Sequence, residues 1–229
     1  KWLFWDEQRW RLDREGHVAL LTKKVARQII KDGIKVSDTN DIDELYRFAQ
    51  QSESAKRRRD MRTLASHEKC IQVRSDQLDK KPLHLNVLNG TIDLTTGKLH
   101  PHSRNDRITK LAAVVYDPKA KAPEWMKFLE TIQPIAENLE ALQRAAGYSL
   151  TGDVSEQVLF FCLGTGANGK STYLNAKQRI LGRDYAIQAA PDLLLSKPVQ
   201  AHPTGLSDLA GIRMAACTEL SSGRGFDES

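Results

Sequence analysis

The sequence predicts two kinds of architecture in one chain. The last third reads as α/β with a parallel sheet begun but unfinished, and an α+β region of helices and short β-hairpins precedes it. Three observations predict this. The stretch GTGANGKST at Gly164–Thr172 lies between the apolar run VLFFCL and the helix-like YLNAKQRIL. The stretch LHLNVLNGTIDLTTGKLHPH carries Asn89-Gly90 and Thr96-Gly97 between alternating segments, the pattern of tight turns joining consecutive short strands. Upstream of both, Val18, Leu21, Val25 and Ile29 recur at helical spacing.

The remaining elements follow in chain order. KWLFWDEQRWRLD has aromatics on either side of DEQ and reads as a hairpin whose Trp2, Phe4, Trp5 and Trp10 fill a small core. Lys23, Lys24, Arg27 and Lys31 interleave with the apolar residues of the first helix and give it a basic side, and Gly33 is its stop. A second helix begins near Asp41 and uses Ile42, Leu45, Tyr46 and Phe48. A third, AKRRRDMRTLASHE, turns Met61, Leu64 and Ala65 inward. Short strands occupy Cys70 to Tyr116, and DPKAKAP is a linker or a helix entry. PEWMKFLETI and AENLEALQRAAGYSL are two further helices, with Trp125, Phe128 and Leu129 on one face and Leu139, Leu142, Ala146 and Leu150 on the other. The expected division is an accessory region at residues 1–120 and a helical lead-in plus the beginning of the α/β domain at residues 121–229.

Composition narrows the class. Of 229 residues, 40% are hydrophobic and 28% charged, enough apolar material for a core. A net charge of +5 permits a polyanionic partner such as nucleic acid without requiring one. Cys70, Cys162 and Cys217 are odd in number and lack CxxC spacing, which argues against a disulfide framework or zinc cluster and for a reducing, cytoplasmic setting. Cys162 reads as core. LAAVVY and VLFFCL are too short to span a bilayer, and no membrane partner is expected. The sequon at Asn89 reads as a turn. The chain opens on Lys1 and closes on SSGRGFDES, and it is expected to be a segment of a longer polypeptide.

GTGANGKST fits G-x-x-x-x-G-K-[ST], with Gly164, Gly169, Lys170 and Ser171 in the fixed places. The chemistry accounts for the residue types. A triphosphate is wrapped by backbone N–H groups, so the loop curls where side chains are absent, at Gly164, Gly166 and Gly169. A helix starting near Gly169 and running from Ser171 to Leu181 points its positive end at the phosphates and ends near Gly182. The expected nucleotide-binding residues are Gly164, Thr165, Gly166, Ala167, Asn168, Gly169, Lys170, Ser171 and Thr172, with ATP and Mg²⁺ as the ligands. Lys170 reaches the β- and γ-phosphates as a catalytic residue, Ser171 ligates Mg²⁺, and Thr172 assists. The competing reading is a glycine-rich turn with a surface lysine. GIRMAACTEL then supplies a second strand, Ile212 to Cys217, with Glu219 at its end. An acid there orients the attacking water or holds Mg²⁺ through water. The competing reading is a surface glutamate.

LFFCLGTGANGKSTYL, LAGIRMAACTEL, LNVLNGTIDLTTGKLHPH, VYDPKAKAPEW and GYSLTGDVSEQ together resemble the phage and plasmid primase–helicase family. Its members carry a poxvirus-type primase-helicase N-terminal segment followed by a superfamily 3 helicase domain. The resemblance covers most of the chain and implies an AAA+-like ATPase fold. It implies a homo-oligomeric ring, usually a hexamer, that hydrolyses ATP and moves on single-stranded DNA, with a primase domain in the same polypeptide and a bacterial, phage or mobile-element setting. Residues 1–120 would then be a collar. Gly164, Gly169, Lys170 and Ser171 match the family's nucleotide loop and Glu219 its second acidic motif. Many superfamily 3 proteins have two adjacent acids there, whereas this chain has Thr218-Glu219. The sensor asparagine, the DNA-contacting hairpin lysine and the arginine finger would lie beyond Ser229. Because an arginine finger is worth ~10³–10⁵ in rate, the chain alone is expected to bind nucleotide weakly and turn it over poorly.

Weaker signals remain. Lys56–Arg59, with Arg62 one turn on, offers DNA contacts at Arg58, Arg59 and Arg62, against a solvated face paired with Asp41, Asp43, Glu44 and Glu53. His100 and His102 flank Pro101 and read as a polar strand edge. Two other functions stay open: a P-loop kinase or phosphotransferase, and a non-catalytic DNA-binding or assembly module.

Overall fold

The computed structural model describes residues 1–33, 39–164, 166–190 and 208–217. The chain separates into two compact units: Lys1–Asp6 with Trp10–Leu78, and Glu7–Arg9 with Asp79–Ser229. The linker-like stretch 117–123 lies inside the second unit.

In the first unit, β1 (Leu3–Trp5) and β2 (Trp10–Leu12) form the antiparallel hairpin expected from the flanking aromatics, with Trp5 opposite Trp10. These two indoles meet edge to face at 5.9 Å, and Phe4 stacks on His17 at 4.1 Å. Helix α1 (His17–Gly33) begins where the Asp13 carboxylate accepts N–H bonds from Gly16, His17 and Val18 at 2.7–2.9 Å. Three of the four orphan amides of the first turn are thereby satisfied. Helices α2 (Thr39–Ser52) and α3 (Ala55–Ala65) complete the unit, and Ser54 caps α3.

The buried face of α1 differs from the predicted stripe. Thr22, Ala26 and Gly33 are buried, while Leu21 and Val25 are exposed. Tyr46, Phe48 and Leu64 are likewise exposed rather than turned inward. Close approach of helices selects small side chains at the contact, so the large apolar residues that mark a helix by pattern need not lie on its seam.

In the second unit, β3 (His84–Val87), β4 (Gly90–Asp93) and β5 (Lys98–His100) form the predicted meander. Val87 pairs with Gly90, so the two turn residues are Leu88 and Asn89, and the glycine is the first residue of β4. Its φ of 152° and its position explain it: a Cβ there would lie 2.4 Å from the His100 carbonyl oxygen. Asn89 uses its side chain elsewhere, donating to the Tyr116 carbonyl and accepting from the Tyr116 N–H, both at 2.9 Å. His100 is exposed in β5, and His102 sets its ring nitrogens 2.9 Å from Asn86 Oδ1 and 3.4 Å from the Leu88 carbonyl.

Helices α4 (Pro123–Ile132), α5 (Ala136–Tyr148) and α6 (Lys170–Tyr185) follow. The helical path of α6 breaks at Gly182, with φ 66° and ψ 179°, as the sequence predicts. Strands β6 (Ala186–Gln188) and β7 (Met214–Ala216) pair in parallel. One core joins these elements to the meander: Leu85, Val87 and Ile92 pack with Leu181, Tyr185, Ala186 and Met214. Each fully buried Leu, Ile or Val there contributes about 1.5–3 kcal/mol. Arg213 reinforces it from β7's approach, with its guanidinium 4.5 Å over the Tyr185 ring and bonded to the Leu150 and His84 carbonyls.

The apolar run VLFFCL does not form the predicted buried strand. Residues 158–163 carry no regular structure, Val158, Leu159, Phe160 and Phe161 are about half exposed, and Leu163 is 88% exposed. Cys162 is exposed with them and is not core. A buried parallel strand needs neighbours along its edges, and the parallel ladder among the described residues consists of β6 and β7 alone. The structure is thus a mixed α/β fold of six helices and small sheets among the described residues.

Candidate anion-binding loop

The glycine loop leads into α6, and its backbone takes positive φ at three described positions: 154° at Gly164, 57° at Ala167 and 82° at Gly169. Gly169 is the N-cap of α6, and no side chain caps that terminus. Its glycine identity has a packing cause as well as a conformational one. A Cβ would lie 2.5 Å from Ile132 Cγ2 and 3.2 Å from the Phe128 ring, so α4 presses directly on the loop's end. At Gly164 a Cβ would lie 2.1 Å from Asn168 Nδ2 and 3.5 Å from Lys170 Nζ. Gly166 differs, since nothing stands within 4 Å of its Cβ position.

Lys170, the first residue of α6, folds back across the loop. Its Nζ donates to the Gly164 carbonyl at 3.0 Å and to Asn168 Oδ1 at 2.6 Å. Asn168, expected only as part of the loop, is therefore the residue that aims the ammonium. Ser171 and Thr172 are exposed in the first helical turn. That turn contains no acidic residue. A cation at the positive end of a helix whose first turn holds no acidic residue gives a positive potential suited to an anion. Thr165 and Glu219 lie outside the described residues.

The loop rests on α4 and α5 through aromatic contacts. Trp125 lies nearly parallel to Tyr173 at 6.1 Å and meets Phe128 at 5.2 Å, and the Tyr173 hydroxyl donates to the Leu142 carbonyl at 2.9 Å. Burial raises the Tyr173 pKa, with Cys162 adding to the effect. No local sequence signal identifies Phe128 and Ile132 as the loop's platform, because they lie some forty residues upstream. Among the described residues, no group of three or more His, Cys, Asp or Glu side chains could hold a metal ion. No helix among them is long and apolar enough to cross a membrane.

The expected DNA-contacting arginines are placed differently from one another. Arg58 is half-buried and donates to Thr22 Oγ1 at 3.3 Å and the Ala19 carbonyl at 3.2 Å, bracing α3 on α1. Arg59 is exposed and Arg62 half-buried. Glu53, offered as their partner, takes Arg27 at 3.0 Å.

Comparison with known families gives this mixed α/β chain a lineage. The family model described as D5 N terminal like matches residues 1–134, more than half of the chain. The chain belongs to that family, the N-terminal domain of D5-like primase–helicases, and this points to a phage or viral primase–helicase-like protein. A search of curated proteins finds no match.

Proposed function

We propose that the chain is part of an ATP-dependent replicative DNA helicase of phage, plasmid or prophage type, acting as an oligomeric ring on single-stranded DNA. ATP–Mg²⁺ would bind at residues 164–172. The observation that carries this reading is the geometry of Lys170, whose ammonium spans the loop from the uncapped start of α6 to Gly164 and Asn168. A charged phosphate oxygen is a stronger acceptor than the Gly164 carbonyl or the Asn168 amide oxygen, so a polyphosphate would draw Nζ to itself. The glycine at 164 also fits such a ligand, because a side chain there would run into Asn168 and Lys170.

Within this reading, the amides at the start of α6 and Lys170 hold the phosphates, and Ser171 contributes a metal-ligating hydroxyl. Mg²⁺, when bound, supplies charge neutralisation between the β- and γ-phosphates. Glu219 would position water. The family match supports the replicative setting, since D5-like proteins are primase–helicases, and the net charge of +5 accords with a nucleic-acid partner.

The test is a pair of titrations on the intact chain, one with ATP–Mg²⁺ and one with single-stranded DNA. A helicase part binds both ligands. Binding of nucleotide alone favours a phosphotransferase, and binding of DNA alone favours a non-catalytic module.

A further inference from the structure

Past the loop, α4, α5 and α6 enclose a cavity of about 460 Å³. This falls within the roughly 300–1,000 Å³ of small-molecule sites. Trp125, Leu129, Leu139, Leu142 and Leu181 form its walls, and Met126 and Ile180, each about half exposed, lie at its rim. Lys177 is the one charged residue lining it among the described residues. Its Nζ donates to the buried Ser149 hydroxyl at 3.1 Å and stands 5.1 Å from the centre of the Tyr173 ring. An ammonium has three donors, and among the described residues one hydroxyl and a ring face leave this charge without a carboxylate partner. Burial lowers its pKa, an effect that a nearby Cys162 partly opposes. A desolvated cation at the side of an apolar cavity is electrostatically incomplete, and the group that completes it is an anion carrying apolar surface.

We propose that this cavity binds an amphipathic monoanion, an apolar chain or ring bearing one carboxylate, with the carboxylate on Lys177 Nζ and the apolar body along Trp125, Leu139 and Leu142. The site is separate from the phosphate-binding reading: it uses the middle of α6 rather than its first turn, and it would stand if the loop bound nothing.

The experiment is calorimetric titration of the intact chain with decanoate, decanol and decyltrimethylammonium, each below its micelle concentration, repeated on Lys177→Met. The wild type should bind decanoate at least tenfold more tightly than decanol and more tightly still than the cation. Lys177→Met should lose at least tenfold in decanoate affinity while its decanol affinity stays within twofold. Equal affinity for the three probes, no binding of decanoate, or unchanged decanoate affinity in Lys177→Met would each overturn the proposal. Circular dichroism establishes that the variant is folded, and if it is not, the ranking of the three probes on the wild type still decides.

Discussion

Lys170 Nζ lies 3.0 Å from the carbonyl oxygen of Gly164, so the side chain that begins α6 closes back on the residue that opens the loop. The loop is a ring completed by a hydrogen bond, and Asn168, at 2.6 Å from the same ammonium, fixes where that bond is made. The geometry ties the two halves of the motif together. Gly164 leaves room for Asn168 and Lys170, and Gly169 lets α4 come up against the loop's end.

Gly169 and Gly166 should respond differently to alanine. At Gly169 the added methyl meets Ile132 and Phe128, and φ is 82°. Strain of this kind costs about 1–3 kcal/mol. At Gly166 the methyl meets open space, and a surface change of that type stays within about 0.5 kcal/mol. Urea unfolding midpoints of the two variants check this, and equal shifts would contradict it.

Asp13→Ala should destabilise the first unit by about 0.5–2 kcal/mol, the cost of losing a helix N-terminal acceptor. Partial burial raises the Asp13 pKa, but the N–H bonds from Val18, His17 and Gly16, with the charge of His17, outweigh it and hold the carboxyl below 3.8. A depressed carboxyl stabilises above its unfolded pKa and loses that stabilisation as pH falls through the folded value. The stability difference between wild type and Asp13→Ala should therefore be constant near neutrality and shrink below pH 3.8, as read by denaturant unfolding across pH.

Tyr185 supplies an alkaline counterpart. Burial pushes its pKa up to about 12, against the opposing pull of Arg213 stacked on its ring and of the Asn86 N–H. Its ordinary value is 10.0. A raised folded pKa gives stabilisation that is complete below the unfolded value and is lost as pH rises toward the folded one. Folding stability should thus fall between about pH 10 and 12, and Tyr185→Phe should fall less steeply. An identical alkaline slope in the two proteins would remove Tyr185 as the cause.

The hairpin, the six helices and the three-stranded meander were legible because each rests on local chemistry: flanking aromatics, 3.6-residue spacing, and the Asn89-Gly90 and Thr96-Gly97 turns. What failed depended on distant partners. VLFFCL has the composition of a buried strand, but apolarity states that a segment gains from burial and not what lies beside it. Leu21 and Val25 marked the first helix by pattern, whereas the seam is made by Thr22 and Ala26, whose size suits close approach. Asn89-Gly90 predicted a turn at the right place for a partly wrong reason, since Gly90 is required by the His100 carbonyl across the sheet. In the candidate site, the motif gave the lysine and glycines, while the platform of Phe128 and Ile132 could be known only once α4 was seen against Gly169.

The most direct measurement is the dissociation constant of ATP–Mg²⁺ for the wild type and for Lys170→Ala, with circular dichroism to establish equal folding. Loss of the ammonium that spans the loop should weaken binding at least tenfold, about 1.4 kcal/mol. Equal affinity in the two proteins, or no saturable binding by the wild type, would contradict the assignment of residues 164–172 to a polyphosphate.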